Sequence, residues 1–79
     1  MPEPSVPMTL LNEGEKAVIS SFHLPDSMKK RLVSMGMIPE TQIECVRIKK
    51  GSLIAVKVRG AVIALRIADA ACILVRKTE

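Results

Sequence analysis

The stretch SLIAVKVRGAVIALRI, residues 52–67, decides the fold. Its first half alternates, with Ile54, Val56 and Val58 on one side and Ala55, Lys57 and Arg59 on the other. That is the period of a half-buried strand. Arg59-Gly60 then forms a tight hairpin connection, and Gly60 supplies the backbone freedom such a turn needs. The returning AVIALRI places Ile63, Leu65 and Ile67 on one face. A hairpin alone is marginal in water, so its apolar face demands more sheet.

The flanking sequence supplies it. TQIECVRI (41–48) is rich in β-branched residues, and Lys49-Lys50-Gly51 turns it into the hairpin. Beyond the hairpin, Ala68-Asp69-Ala70-Ala71 suits a single helical turn, and CILVRK (72–77) reads as a closing strand. KAVISSF (16–22), after an Asn12-Glu13-Gly14 turn, is a further strand with Ala17 and Ile19 on one face. Between it and residue 41 lies PDSMKKRLVSMG (25–36), which carries helix punctuation at both ends. Asp26 or Ser27 is placed to cap the first turn, and Met28, Leu32 and Met35 make an apolar stripe. Gly36 closes the helix and Pro39 prevents its continuation. The expectation is a mostly β protein: a small barrel of about five strands, with one α-helix after the first strand. Residues 1–7, MPEPSVP, read as a flexible leader, and residues 8–79 as one domain.

Hydrophobic residues form 48% of the chain and charged residues 25%, the balance of a folded globular domain. With Phe22 the single aromatic residue, the core is aliphatic, and a stacking platform for single-stranded nucleic acid cannot be built. The aromatic groove that reads proline-rich peptides is excluded for the same reason. Twelve basic residues against eight acidic ones leave a charge of +4, which favours an acidic partner. Cys45 and Cys72 lie far apart with no CxxC spacing, and no signal peptide precedes them. Reduced thiols in a cytoplasmic protein are the simpler reading. No apolar run reaches the ~20 residues that span a bilayer.

Catalysis needs convergent groups, and the sequence offers few. The single histidine, His23, sits in a loop before Pro25, and both cysteines have plain strand neighbours. No catalytic residue and no cofactor is therefore expected. His23 and Cys45 are the nearest to a metal pair for Fe²⁺ or Zn²⁺, but the close ligand spacings of a structural site do not occur. No GxxxxGK[ST] or GxGxxG motif cradles phosphates. What remains is surface: Lys29, Lys30 and Arg31 on the helix, with Arg47, Lys49, Lys50, Lys57 and Arg59 on the middle hairpin. From these, Lys29, Arg31, Lys49, Lys50, Lys57 and Arg59 are the candidate partner contacts. An aliphatic patch at Leu10-Leu11 or Met37-Ile38 is equally compatible with core or with a homo-oligomer face.

Two segments carry a family likeness: KKRLVSMGMIPETQIECVRI (29–48) and VRGAVIALRIADAACILV (58–75). Together they resemble the FeoA family, small cytoplasmic partners of the ferrous iron transporter FeoB, from about Leu10 to Lys77. The resemblance implies an SH3-like barrel, similar to the C-terminal domain of iron-dependent repressors. It also implies an accessory role in bacterial ferrous iron uptake, by docking on the cytoplasmic part of FeoB at the inner face of the membrane. Two features depart from the family pattern. Glu40 follows Pro39 where glycine is usual, which suggests a different turn and adds a negative charge. The loop Lys49-Lys50-Gly51-Ser52 is shorter and more basic. The alternative function is a metal-sensing regulatory domain related to those repressors, with Glu40, Glu44, His23 and Cys45 as nearest ligands. A third, a small nucleic-acid-binding barrel, predicts affinity that falls steeply with salt.

Overall fold

A computed structural model describes residues 4–78. The elements run β1 (Val6–Pro7), a 3₁₀ turn (Met8–Leu10), β2 (Lys16–Phe22), α1 (Asp26–Ser34) and β3 (Gln42–Lys49). They continue with β4 (Leu53–Val58), β5 (Ala61–Arg66), α2 (Ile67–Ala70) and β6 (Ile73–Thr78). One antiparallel sheet has the order β1-β6-β2-β3-β4-β5. The protein is mostly β, as its alternation requires, but with six strands where about five were expected. The extra one is β1, whose Val6 and Pro7 pair with Val75 and Leu74. Val6 and Pro7, read from the sequence as leader, thus belong to the sheet, and residues 1–3 of that stretch lie outside the described residues. Proline fits β1 because an edge strand can spare an amide.

The sheet is curled rather than closed, since β1 and β5 do not pair with each other. Register shifts at Ile19/Ser21 in β2 and at Cys45/Arg47 in β3 supply the bend, because a bulge increases local twist. Inside the curl lie Ala17, Ile19, Ile43, Cys45, Ile54, Val56, Val58, Ile63, Leu65, Ile73 and Val75. Each set alternates along its strand, as the period of two demands. Met8 and Leu11 are also fully buried, at 0% and 1% exposure, while Leu10 is 56% exposed. The 3₁₀ turn has three residues per turn, so Met8 and Leu11 fall on one side and Leu10 on another. The apolar pair at Leu10-Leu11 is therefore split, with Leu11 in the core.

The helix differs from its expected form at both ends. Its N-cap is Pro25, and no side chain caps it, so neither Asp26 nor Ser27 acts as expected. Asp26 instead puts an acidic residue in the first turn, where the helix dipole favours it. At the other end Gly36 takes φ 91°. The Gly36 amide donates to the Val33 carbonyl at 2.9 Å and the Met37 amide to Leu32 at 3.0 Å. These two bonds make a Schellman motif, and the buried side chains of Leu32 and Met37 supply its apolar contact. Met35, expected in the apolar stripe, is 40% exposed. Met37, beyond the helix, takes the core position instead.

Candidate functional site

The β4–β5 hairpin sets the geometry of the surface. Val58 pairs with Ala61, and the two residues between them, Arg59 and Gly60, have φ 51° and 86°. Positive φ at both central positions is a type I′ turn, whose twist matches its strands. Arg59 bends back over the end of α1, because a Cβ on Gly36 would lie 3.2 Å from Arg59 Cδ. The helix terminus and the hairpin tip are thereby in contact.

A second corner holds Glu40, at φ 71°. The backbone there takes the left-handed angles that glycine adopts at least cost. The Glu40 amide donates to the Ile19 carbonyl at 2.7 Å, which ties this corner to β2. Its carboxylate accepts a hydrogen bond from Arg76 Nη2 at 2.6 Å. That bond holds the Glu40 carboxyl below its ordinary pKa and raises the Arg76 guanidinium above its own. The added negative charge is thus spent within the protein, on β6.

The candidate metal ligands are not brought together. Cys45 is buried on β3, where burial first and the nearby Glu13 second push its thiol up. His23 is exposed beyond the far end of β2, its amide donating to the Cys72 carbonyl at 2.8 Å and its Nε2 3.3 Å from Ser21 Oγ. Lys16 at the start of β2 pairs with Glu44, next to Cys45, whereas Phe22 at its end adjoins His23. About seven residues of strand, roughly 20 Å, therefore separate the two. Glu40 is engaged with Arg76, and Glu44 sits between Lys16 and Lys57 in the sheet. Among the described residues no three His, Cys, Asp or Glu side chains converge. Both cysteines are free thiols.

The candidate partner contacts fall into separate groups. Lys49 ends β3 and Lys50 opens the β3–β4 turn, at the opposite end of β4 from Arg59. Lys57 and Arg59 share a shallow hollow with Lys16 and Glu44 near the hairpin tip. Arg31 lines a groove of about 330 Å³ between α1 and β5, whereas Lys29 faces the other flank of the helix beside Lys30. None of the six forms an ion pair with the described residues. Sequence reasoning missed Arg66, which lines the same groove as Arg31 and reaches Asp69 at 3.2 Å. Its place at the end of an alternating strand is the signal that could have found it.

Known proteins now bear on this geometry. No curated protein matches the sequence. Among solved structures, a protein described as an iron uptake regulatory protein (FeoA) is 25% identical. The match covers 95% of this chain and 100% of that one, with a TM-score of 0.85. An iron(II) transport protein A from Clostridium thermocellum is 28% identical over 92% of this chain and 46% of its own, with a TM-score of 0.84. The IdeR protein of T. acidophilum is 26% identical over 99% of this chain but only 36% of that one, with a TM-score of 0.83. The SH3-like expectation is thereby met. Residues 6–77 match the model of the FeoA domain, so nearly the whole described sheet is accounted for, and the chain belongs to the FeoA family.

Proposed function

We propose that this protein is an accessory component of ferrous iron uptake that docks on the cytoplasmic part of a FeoB-type transporter. The observation that carries the reading is the family match over residues 6–77. A structural relative described as an iron(II) transport protein supports the link to ferrous iron. Arg31, Lys49, Lys50, Lys57 and Arg59 are exposed and form no ion pair among the described residues, which supports docking rather than catalysis, because they suit an acidic protein face. Two free thiols, and no helix among the described residues long and apolar enough to cross a membrane, suit a protein recruited to the inner membrane face by its partner. Tagging the protein in its host and purifying from gently solubilised membranes tests this, with and without chelator. Recovery of the transporter in both conditions is the expected result. Unchanged ferrous iron uptake after deletion, under anaerobic and iron-poor conditions, sinks the proposal.

The likeness to IdeR favours one second reading, a regulatory domain that senses metal. Equilibrium dialysis against Fe²⁺ at micromolar concentration decides it, since stoichiometric binding is required.

A further inference from the structure

The two edges of the sheet are built differently. β1 is two residues long and contains a proline, which blunts it as a template for further pairing. β5 is six residues long, roughly 20 Å, with no proline and an unbroken register against β4. The two-residue hairpin makes Val58 and Ala61 a hydrogen-bonded pair, so Val56/Ile63 and Ile54/Leu65 are bonded pairs as well. Val62, Ala64 and Arg66 therefore turn their amides and carbonyls away from β4. The bond from the Ile67 amide to the Ser52 carbonyl, 3.0 Å, fits this phase. Val62 is 60% exposed and Ala64 is exposed, so among the described residues no inward charge or bulky cover defends this edge.

The groove between α1 and β5 runs beside that edge. Met28, Leu32 and Met35 line it from the helix, and Ile63 and Leu65 from the strand. Methionine side chains adapt to different apolar partners. Arg31 and Arg66 stand on its rim, and Asp69 offsets only one of the two charges. An apolar floor, a basic rim and a row of backbone groups without a partner among the described residues define what fits.

We infer that the β5 edge and the α1–β5 groove accept an extended peptide segment of alternating acidic and apolar residues, added as a seventh strand. Main-chain bonds to Val62, Ala64 and Arg66 give it hold, and the alternate side chains meet the floor and the rim. This rests on the docking reading above and specifies its surface and the kind of segment recognised.

The test uses an acetylated heptapeptide of alternating glutamate and valine, with a lysine–valine peptide as control, added to ¹⁵N-labelled full-length protein. The acidic peptide is expected to slow hydrogen exchange at the Val62, Ala64 and Arg66 amides, and the basic one to leave them unchanged. Ala64→Pro removes an outward donor that the sheet does not use, and Arg31→Glu reverses a rim charge. Each is expected to weaken binding by roughly tenfold or more. Should Ala64→Pro fail to fold, Arg31→Glu still decides. Binding that perturbs other amides while these three exchange freely overturns the inference, as does equal binding by both variants. Protection that rises with protein concentration alone also overturns it, in favour of a second copy of this chain. Transporter recovered equally by wild type and both variants overturns the groove but leaves docking intact. Peptide protection as expected, with no transporter recovered by any form, supports the groove and removes the docking reading.

Discussion

Replacing Gly36 with alanine isolates the junction between the helix and the hairpin tip. Gly36 sits at φ 91°, where an L-residue suffers a Cβ–carbonyl clash of roughly 1–2 kcal/mol. Alanine also restricts the unfolded chain, which returns roughly 0.4–1 kcal/mol. The new Cβ meets Arg59 Cδ at 3.2 Å, a tight contact with an exposed side chain that can move aside cheaply. Backbone strain therefore dominates, and the net loss is about 1 kcal/mol. For a domain of this size that lowers the melting midpoint by about 4–8 °C. Urea unfolding of four proteins checks it: wild type, Gly36→Ala, Arg59→Ala and the double variant. The Gly36→Ala loss is expected to persist in the Arg59→Ala background to within about 0.5 kcal/mol. A loss that vanishes there would mean that crowding, not backbone angle, sets the cost, and the argument from φ would fall.

Three other outcomes follow from the same structure. Glu40→Gly relieves a left-handed backbone but breaks the Arg76 pair, so it is expected to raise the melting midpoint in high salt, where the pair is screened, more than in low salt; equal shifts at both salt concentrations would refute the assignment. Glu15 is held below its ordinary pKa first by the Asn12 amide, with help from Lys77, and Glu40 by Arg76. Lowered carboxylate pKa values stabilise the fold above the ordinary value of 4.5 and lose that effect as pH falls through the folded values. The midpoint is thus expected to hold near neutrality and fall in acid, and the paired Glu15→Gln, Glu40→Gln variant to show a shallower acid decline. Cys45 is buried with a raised pKa whereas Cys72 is part exposed, so a thiol reagent is expected to label Cys72 in the native state and Cys45 only on unfolding. Native-state labelling of Cys45 ahead of Cys72 would contradict that order.

The central strands were legible because a period of two in aliphatic residues admits one reading, and Ile54, Val56, Val58, Ile63 and Leu65 are all buried. Gly36 was legible because few residues can end a helix that way. What escaped the sequence was non-local or too short to carry a period. β1 exists only because Val75 and Leu74 lie beside it, far along the chain. Met8 and Leu11 belong to a single 3₁₀ turn, and one turn gives no repeat to detect. The left-handed backbone at Glu40 was not legible because residue identity argues against it, while the amide bond to Ile19 and the Arg76 pair, both non-local, hold that corner. Of the candidate contacts, charge alone was readable. Lys29 and Arg31, two residues apart on α1, fall on different flanks by the helical period alone, but that Arg31 meets Arg66 depends on how the sheet curls against the helix.

The position of β6 between β1 and β2 has a consequence for biosynthesis. The neighbouring run β2-β3-β4-β5 pairs strands in the order in which the ribosome delivers them, so this meander can zip as it emerges. The slot between β1 and β2 stays empty until residues 73–78 have left the exit tunnel. Until then β2 presents a bare edge with Ala17 and Ile19 uncovered, the state in which a nascent chain recruits chaperones or aggregates. Completion of the sheet is thus timed by the late arrival of one strand, and substitutions at the buried Ile73 or Val75 are expected to reduce yield in the cell as well as the stability of the finished protein.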